Sequence, residues 1–216
     1  MRVFRGRADT IADDRKRTAE IVGTAVETST PALRVWSPHR QVAFGRRDVR
    51  VDGYDTAVRA AEQRNFPAIE RDVGGRAVAY TGSTLAVVFA DPAADRTAIQ
   101  ARYETATDRL AGALASVGVD TDEGEPPDSF CPGTHSLQAT GKIAGLAQRV
   151  RRDVAITAGI VVVSDHATIA SVLAPVYDAL GVPFDPDSVD SVERAGGPGD
   201  PQRVGDAVVA AFADDP

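Results

Sequence analysis

Three strand-like segments follow one another between residues 136 and 163, with only a few residues between them. They read SLQAT (136–140), KIAGLAQRV (142–150) and VAITAGIVVV (154–163). The last is rich in Val and Ile, whose branched side chains favour the pleated surface of a sheet. A doubly wound α/β fold alternates strands with helices, whereas consecutive strands are typical of α+β proteins. The sequence therefore predicts an α+β fold with a mixed sheet.

Other segments add strands and helices to this core. Further strands are predicted at residues 32–36, 41–45, 67–71, 77–80 and 84–90. We expect the last two of these to form a hairpin around Thr81-Gly82-Ser83. Helices are predicted at residues 11–29, 53–65, 94–118, 166–181 and 201–213. Thr10 is the expected N-cap of the first helix, and the third has an apolar side formed by Ile99, Tyr103, Leu110 and Leu114.

Length and composition predict one globular domain. The chain has 216 residues, 43% of them hydrophobic, which suits one packed core. We expect residues 1–183 to form this domain and residues 184–216 to be a linker and a C-terminal helix packed on it. No apolar run is long enough for a transmembrane helix, and the N-terminus MRVFRGRADT lacks the apolar core of a signal peptide. A single cysteine cannot form an internal disulfide, so we expect a reducing cytoplasm.

The charge pattern is acidic and unusual in its choice of residues. The net charge is −7, with 23 Asp against 8 Glu, and only Lys16 and Lys142 among the 24 basic residues are lysines. A high-salt cytoplasm or a GC-rich genome would produce such a surface, and we favour the former. The acidic balance argues against nucleic acid as a partner. The basic stretch RVRRD (149–153) is either a solvated strand end or a landing site for an acidic partner protein.

Several motifs of cofactor binding and hydrolysis are missing from the sequence. It has no G-x-G-x-x-G or G-x-x-x-x-G-K-[ST] loop and no G-x-S-x-G elbow. It also lacks H-E-x-x-H and paired cysteines, so no metal site is expected. His39 and His166 read as surface residues at element boundaries. His135, four residues after Cys131, is either a surface residue or a proton shuttle.

The segment CPGTHSLQATGK (131–142) contains the only cysteine and one of the two lysines. Cys131 lies in F-C-P-G, which predicts an exposed turn rather than the buried position usual for a lone cysteine. Lys142 begins a strand in a chain that otherwise uses arginine. A lysine ammonium is a compact charge that fits a narrow pocket and favours a neighbouring thiolate. The pair predicts a nucleophilic cysteine assisted by a lysine; the alternative is an accident of composition.

A second candidate segment, ERDVGGRAVAYTGSTLAV (70–87), has two adjacent glycines between strand-like stretches. Paired glycines let backbone N–H groups approach a bound carbonyl or phosphate without interference from a Cβ atom. Arg71 and Arg76 flank Gly74 and Gly75, which favours a polar or anionic ligand group. A plain hairpin turn is the alternative interpretation.

Together the two segments resemble the lipoate–protein ligase and octanoyltransferase family, which is related to the biotin protein ligases. The resemblance rests on R-x-x-G-G-R-A-V, followed by G-K-x-x-G-x-A-Q-R and a β-rich run, and covers about residues 10–180. The stretch S-F-C-P-G-T-H-S-L before the lysine is most similar to the amidotransferase branch of this family. Enzymes of that branch move an octanoyl or lipoyl group between carrier proteins through a cysteine thioester.

The resemblance implies a fold, a set of site residues and a class of partner. The fold is a mixed, mainly antiparallel sheet flanked by helices, which encloses a tunnel for the acyl chain. Cys131 would be the nucleophile, and Lys142 would contact the acyl carbonyl. The implied substrate-binding residues are Arg71, Gly74, Gly75, Arg76, Ala77, Gly141 and Gly145. The implied partners are lipoyl-carrier domains, namely the glycine cleavage H protein and the E2 subunits of 2-oxoacid dehydrogenases.

Two departures from the family pattern bear on the reaction. The ATP-using ligases carry a third glycine where this chain has Arg76, and commonly a histidine where it has Tyr80. Both departures favour a cysteine-dependent acyltransferase that needs no cofactor. The alternatives are a ligase that uses ATP and Mg to form an acyl-adenylate, and a non-catalytic protein that only binds an acyl chain or a carrier. The sequence leaves open whether the acyl group is octanoyl or lipoyl.

Overall fold

The computed structural model describes residues 1–71, 74–92 and 97–213. Within these residues the strands are β1 (Arg2–Arg5), β2 (Ala32–Trp36), β3 (Gln41–Phe44), β4 (Ala68–Glu70), β5 (Val78–Tyr80), β6 (Leu85–Asp91), β7 (Asp122–Glu123), β8 (Ser136–Gln138), β9 (Lys142–Val150) and β10 (Ala155–Val161). The helices are α1 (Ile11–Thr28), α2 (Tyr54–Glu62), α3 (Ile99–Ser116), α4 (His166–Ala179) and α5 (Pro201–Ala213). The predicted loop residues 72 and 73 and the predicted helix start at 94–96 lie outside the described residues.

The described strands form a large and a small sheet. The large sheet has the order β1-β2-β6-β10-β9-β8-β7, in which β1 and β2 are parallel and the other described neighbours antiparallel. The small sheet has the order β4-β3-β5, with β3 parallel to β4 and antiparallel to β5. The three consecutive segments of the sequence are β8, β9 and β10, which pair as antiparallel neighbours. The predicted α+β class with a mainly antiparallel sheet flanked by helices is confirmed.

The hairpin predicted around Thr81-Gly82-Ser83 is wrong, although both of its strands are present. β5 pairs with β3 in the small sheet, whereas β6 pairs with β2 and β10 in the large one. Gly82 has φ +96°, and the Thr84 hydroxyl accepts from the Thr81 N–H at 3.2 Å. Left-handed backbone of this kind suits a tight turn. Here the turn carries the chain from one sheet to the other.

Helices pack on both faces of the large sheet and against the small sheet. α3 and α5 pack on one face of the large sheet, where Leu110 and Leu114 meet Val35 and Val87. α2 and α4 pack with the small sheet in a second apolar cluster, and α1 covers part of the other face of the large sheet. The apolar side predicted for α3 is correct at both leucines, but Ile99, in its first turn, is 46% exposed.

A buried ion pair holds α1 on the large sheet. The Thr10 side chain accepts from the Asp13 N–H, so the predicted N-cap is confirmed. In the same first turn, the Asp14 carboxylate accepts from the Trp36 indole N–H at 2.9 Å and pairs with the Arg34 guanidinium. Arg34 lies on β2 and is completely buried. A charge without solvent needs such partners, so this contact fixes where α1 crosses the sheet.

The C-terminal segment packs on the same core as the rest of the chain. α5 contacts α3 and β2, and it buries Val204, Val208 and Phe212. The predicted division at residues 183 and 184 stays a prediction. No helix in the described part of the chain is long and apolar enough to cross a membrane.

Candidate active site

Cys131 lies in the loop between β7 and β8, and its backbone is held in an unusual conformation. Its φ is +45°, a left-handed value that costs a residue with a side chain about 1–3 kcal/mol. The Cys131 N–H donates to the Tyr177 hydroxyl at 2.6 Å, which helps to hold this conformation. The side chain is half-buried against the apolar cluster of α2 and α4, rather than exposed as the Pro-Gly turn predicted. The surrounding contacts therefore orient the sulfur.

The sulfur of Cys131 faces a guanidinium group. Arg71 Nη2 lies 3.1 Å from Cys131 Sγ and 2.6 Å from the carbonyl oxygen of Arg76. Burial alone lowers the pKa of Arg71, but the adjacent Cys131 sulfur and the Tyr80 hydroxyl raise it, and the net direction is upward. A permanent positive charge at this distance attracts a thiolate. The sequence predicted Arg71 at a ligand-binding loop; the structure brings it to the sulfur of Cys131 as well.

Lys142 contacts the backbone of the cysteine loop rather than the sulfur. Its side chain is 1% exposed, and Nζ lies 2.9 Å from the carbonyl oxygens of both Phe130 and Cys131. Nζ also lies 3.0 and 3.1 Å from the two carboxylate oxygens of Glu125. Burial lowers the pKa of Lys142, while the Glu125 carboxylate opposes that shift. The ammonium therefore acts on Cys131 by fixing its loop, and the cation hydrogen-bonded to the sulfur is Arg71.

Glu125 is a site residue that the sequence reasoning missed. Besides Lys142, its carboxylate accepts from the Gly133 N–H at 2.9 Å and from the hydroxyls of Ser129 and Ser136. These contacts tie both sides of the cysteine turn to one carboxylate. The residue type gave little signal, because 8 of the 31 acidic residues are Glu, whereas only 2 of the 24 basic residues are Lys.

Tyr177 connects the cysteine loop to the glycine loop. Its hydroxyl donates to the Ala77 carbonyl oxygen at 2.9 Å while it accepts from the Cys131 N–H. Burial raises the pKa of Tyr177, so the hydroxyl keeps the proton that it donates. Tyr177 lies on the apolar face of α4, and nothing in its sequence neighbourhood separates it from an ordinary core residue.

The two glycines of the R-x-x-G-G-R motif have different surroundings. Gly75 has φ +93°, and an added Cβ would lie 2.5 Å from Cys131 Sγ and 2.7 Å from Arg71 Nη2. A side chain at Gly75 would therefore displace the Cys131 sulfur. An added Cβ on Gly45 would lie 1.9 Å from the Gly75 carbonyl oxygen. The backbone at the end of β3 is therefore in direct contact with the backbone of the glycine loop. Gly74 has open space around it and lines a cavity that opens beside the Cys131 sulfur.

Among the remaining predicted residues, Gly145 lines the cavity beside the sulfur, whereas Arg76 and Gly141 are not among its lining residues. Arg76 directs its guanidinium away from the sulfur, to the buried Asp48 carboxylate at 3.1 Å. The Gly141 N–H donates to Asp190 at 3.1 Å. Gly145 leaves room for Lys142, since an added Cβ would lie 3.2 Å from Lys142 Cε. Substrate contact by these three residues stays a prediction.

A cavity of about 460 Å³ opens beside the sulfur, between the two sheets and α1. Cys131, Arg71 and Lys142 line it together with many apolar side chains. The apolar lining includes Val22, Val78, Ala86, Val88, Ala158 and Ile160. Along β6, Ala86, Val87 and Val88 all line the cavity, and Val87 also packs with Leu85 in the core cluster. Its volume is in the range usual for small-molecule sites.

The histidines have other partners. His135 stacks on Tyr103 with ring centroids 4.1 Å apart, and its Nδ1 lies 3.1 Å from Glu123 Oε1. His39 lies 2.8 Å from the Ala8 carbonyl oxygen. In residues 1–71, 74–92 and 97–213, no three His, Cys, Asp or Glu side chains are grouped to hold a metal ion.

The family can be assigned from the sequence over most of the chain. The model of the lipoyl protein ligase A/B catalytic domain matches residues 16–213. The chain belongs to this family. This confirms the resemblance seen in the R-x-x-G-G-R and G-K-x-x-G motifs.

Relatives within the lipoyl protein ligase A/B family carry transferase names. An octanoyl-[GcvH]:protein N-octanoyltransferase of Geobacillus kaustophilus is 31% identical over 153 residues, which are 69% of this chain and 54% of the relative. A lipoyl-[GcvH]:protein N-lipoyltransferase of Listeria monocytogenes is 26% identical over 163 residues, 74% of this chain and 58% of the relative. The chain thus spans little more than half the length of these relatives.

A solved structure extends the likeness of the fold to nearly the whole chain. It is the putative lipoate protein ligase of T. acidophilum with bound lipoic acid, with a TM-score of 0.73 and 18% identity over 99% of this chain and 84% of that one. At this identity the likeness concerns the fold. It agrees with the fold expected from the two motifs.

Proposed function

We propose that this protein is an acyltransferase that moves an octanoyl or lipoyl group to or between lysines of lipoyl-carrier domains through a thioester on Cys131. The observation that carries the proposal is the position of the sulfur. It lies at the edge of an apolar cavity and 3.1 Å from the Arg71 guanidinium. The transferase names of the relatives agree with this chemistry.

The reaction balances in two steps. The Cys131 thiolate attacks the carbonyl carbon of an acylated carrier lysine, a C–S bond forms, and the carbonyl oxygen becomes negatively charged. The C–N bond then breaks, and the donor nitrogen takes up a proton and leaves as an amine. The acceptor lysine amine attacks the thioester, loses a proton and expels the thiolate. A covalent intermediate divides one difficult transfer into two easier ones.

Arg71 is the group that we assign to the developing negative charge. Its Nε is buried and has no acceptor among the described residues. It can therefore donate to the oxyanion while Nη2 stays on the sulfur. Removing one donor of this kind typically costs on the order of 10²–10³ in rate. Lys142 and Glu125 act as positioning residues, because they hold the carbonyl of Cys131 and the turn around it.

We infer that the transfer needs no nucleotide or metal. Arg76 takes the place of the third glycine of the ATP-using ligases, and its guanidinium is paired with Asp48. The glycine loop of this chain thus has an arginine side chain at the position where the ATP-using ligases have a glycine. The cysteine at the cavity supplies the activated acyl group that an adenylate would otherwise provide.

We infer that the partners are acidic lipoyl-carrier domains, including the glycine cleavage H protein named in the relatives. Arg149 and Arg151 line the cavity that holds Cys131, and Arg151 and Arg152 are exposed. The basic stretch at 149–153 therefore lies beside this cavity, where we expect an acidic carrier to dock. A local positive patch on an acidic protein attracts an acidic partner.

The test is intact mass measurement after mixing the protein with an octanoylated carrier domain and quenching with acid. Without ATP, wild type should gain the mass of one octanoyl group and pass it to a second carrier. Cys131→Ser should form no thioester and transfer nothing. Transfer that survives Cys131→Ser, or that requires ATP and free lipoate, would reject the proposal in favour of a ligase.

A further inference from the structure

One polar side chain lies unpaired in the lining of the cavity. Gln41, on β3, is 7% exposed and lines the cavity together with Ala43. Its side-chain carbonyl oxygen, Oε1, is buried and meets no hydrogen-bond donor among the described residues. An acceptor buried without a donor costs about 1–3 kcal/mol, and an aliphatic residue would suit this strand better. A ligand that donates to Oε1 would explain the glutamine.

The strand geometry places Gln41 away from the reacting sulfur. Side chains alternate along β3, so Val42 and Phe44 enter the core while Gln41 and Ala43 reach the cavity. β3 ends just before Gly45, which meets the Gly75 backbone beside Cys131 Sγ. Four residues of strand span about 13 Å. An acyl chain bound to the sulfur therefore approaches Gln41 with its far end.

We propose that Gln41 recognises the end of the acyl chain and favours a thiol-bearing, dihydrolipoyl tail over an octanoyl tail; the inference rests on the proposed function. The thiols of a reduced lipoyl group are weak donors that can reach Oε1. An octanoyl tail has no polar atom, so it would leave Oε1 buried and unpaired. The named relatives include both octanoyl and lipoyl transferases, so family membership does not decide between the two groups.

The experiment measures binding of the free acids, because binding does not require transfer. Dissociation constants for dihydrolipoate and octanoate are determined by titration calorimetry under reducing conditions. The proteins are wild type, Gln41→Leu, Gln41→Met and the control Gln63→Leu, which makes the same change at an exposed position after α2. Leucine and methionine are both close in size to glutamine, and thermal melting selects the folded variants.

The expected result is a change in preference. Wild type should bind dihydrolipoate more tightly than octanoate, and each folded Gln41 variant should shift that ratio toward octanoate by about tenfold. Gln63→Leu should keep the wild-type ratio. An unchanged ratio in the Gln41 variants, or a wild type that prefers octanoate, overturns the inference. If Cys131 forms no adduct but the ratio still shifts with Gln41, the proposed transfer fails and the tail recognition stands.

Discussion

Lys142 is the residue whose replacement tests the site most directly. Four oxygens surround its ammonium, and the Gly145 backbone lies close beside the side chain. A guanidinium is planar and larger, so Lys142→Arg should shift the cysteine loop by about an ångström and lower transfer on the order of 10²-fold. The melting temperature should also fall, because the site is buried. Rates and melting are compared with Lys16→Arg, an exposed lysine near Glu20; full activity in both variants would make Lys142 an accident of composition.

Glu125 offers a second test at the level of one side chain. Glu125→Gln keeps the shape but removes the charge that faces Lys142, and it replaces one acceptor by a donor. The lost charge-assisted contacts should lower the free energy of unfolding by about 1–3 kcal/mol and the transfer rate by about tenfold. Glu123→Gln is the control, since Glu123 is exposed and pairs with His135. Equal melting and equal rates in the two variants would show that the carboxylate does not hold the loop.

The residues that the sequence revealed are those whose type is unusual for their place. Cysteine and lysine are rare in this chain, and Gly75 has no room for a side chain. Glu125 escaped because glutamate is not rare among the acidic residues of this chain, and Tyr177 because its role depends on partners far away in the sequence. Tyr177 reaches Ala77 across 100 positions, and no local pattern encodes such a contact.

At the scale of elements, α4 supplies the hydroxyl that joins the two site loops. Tyr177→Phe should leave the Cys131 N–H and the Ala77 carbonyl unpaired, and each buried group left so costs about 1–3 kcal/mol. We expect a lower melting temperature and a slower transfer, with the fold retained. The control is Tyr54→Phe, whose hydroxyl contacts Glu70 at 3.3 Å. Unchanged transfer and melting in Tyr177→Phe would show that α4 does not hold the two site loops.

The attachment of α1 gives a prediction about stability. Asp14→Ala would leave the Arg34 guanidinium fully buried without its carboxylate, and breaking a buried pair in this way costs about 3–5 kcal/mol. α1 forms one wall of the cavity, so the binding of octanoate and dihydrolipoate should weaken together with the stability of the fold. Chemical denaturation of Asp14→Ala and of the exposed control Asp9→Ala measures the difference. A loss below 1 kcal/mol would contradict the anchoring role.

Most elements were predictable because each has its own period and boundary residues. α5 and the strands from β8 to β10 lie close to their predicted positions, since β-branched runs and caps act locally. Strand partners were harder, because β5 and β6 are both short apolar strands separated by a tight turn. Which strand lies beside β5 depends on the whole sheet, and the sequence of the turn does not contain that information.

At the scale of the whole molecule, an acidic surface surrounds the basic stretch at 149–153, and this contrast affects how a carrier approaches. The protein carries a net charge of −7, so it repels an acidic carrier at long range. Arg151 and Arg152 are exposed beside the cavity that Arg149 and Arg151 line, so attraction is concentrated at the end of β9 that borders the cavity. This arrangement orients the encounter more than it increases total affinity.

The last prediction follows from that arrangement. The double variant Arg151→Glu with Arg152→Glu should raise KM for an acidic carrier by about tenfold and leave kcat nearly unchanged, because these side chains act before the chemical step. The effect should shrink as salt increases toward 1 M, where exposed charges are screened within about 3 Å. Arg203→Glu is the control, because it is exposed on α5, on the face of the large sheet away from the cavity. A rise in KM with Arg203→Glu that is equal per charge reversed would point to net charge, and a fall in kcat would place the arginines in the catalytic step.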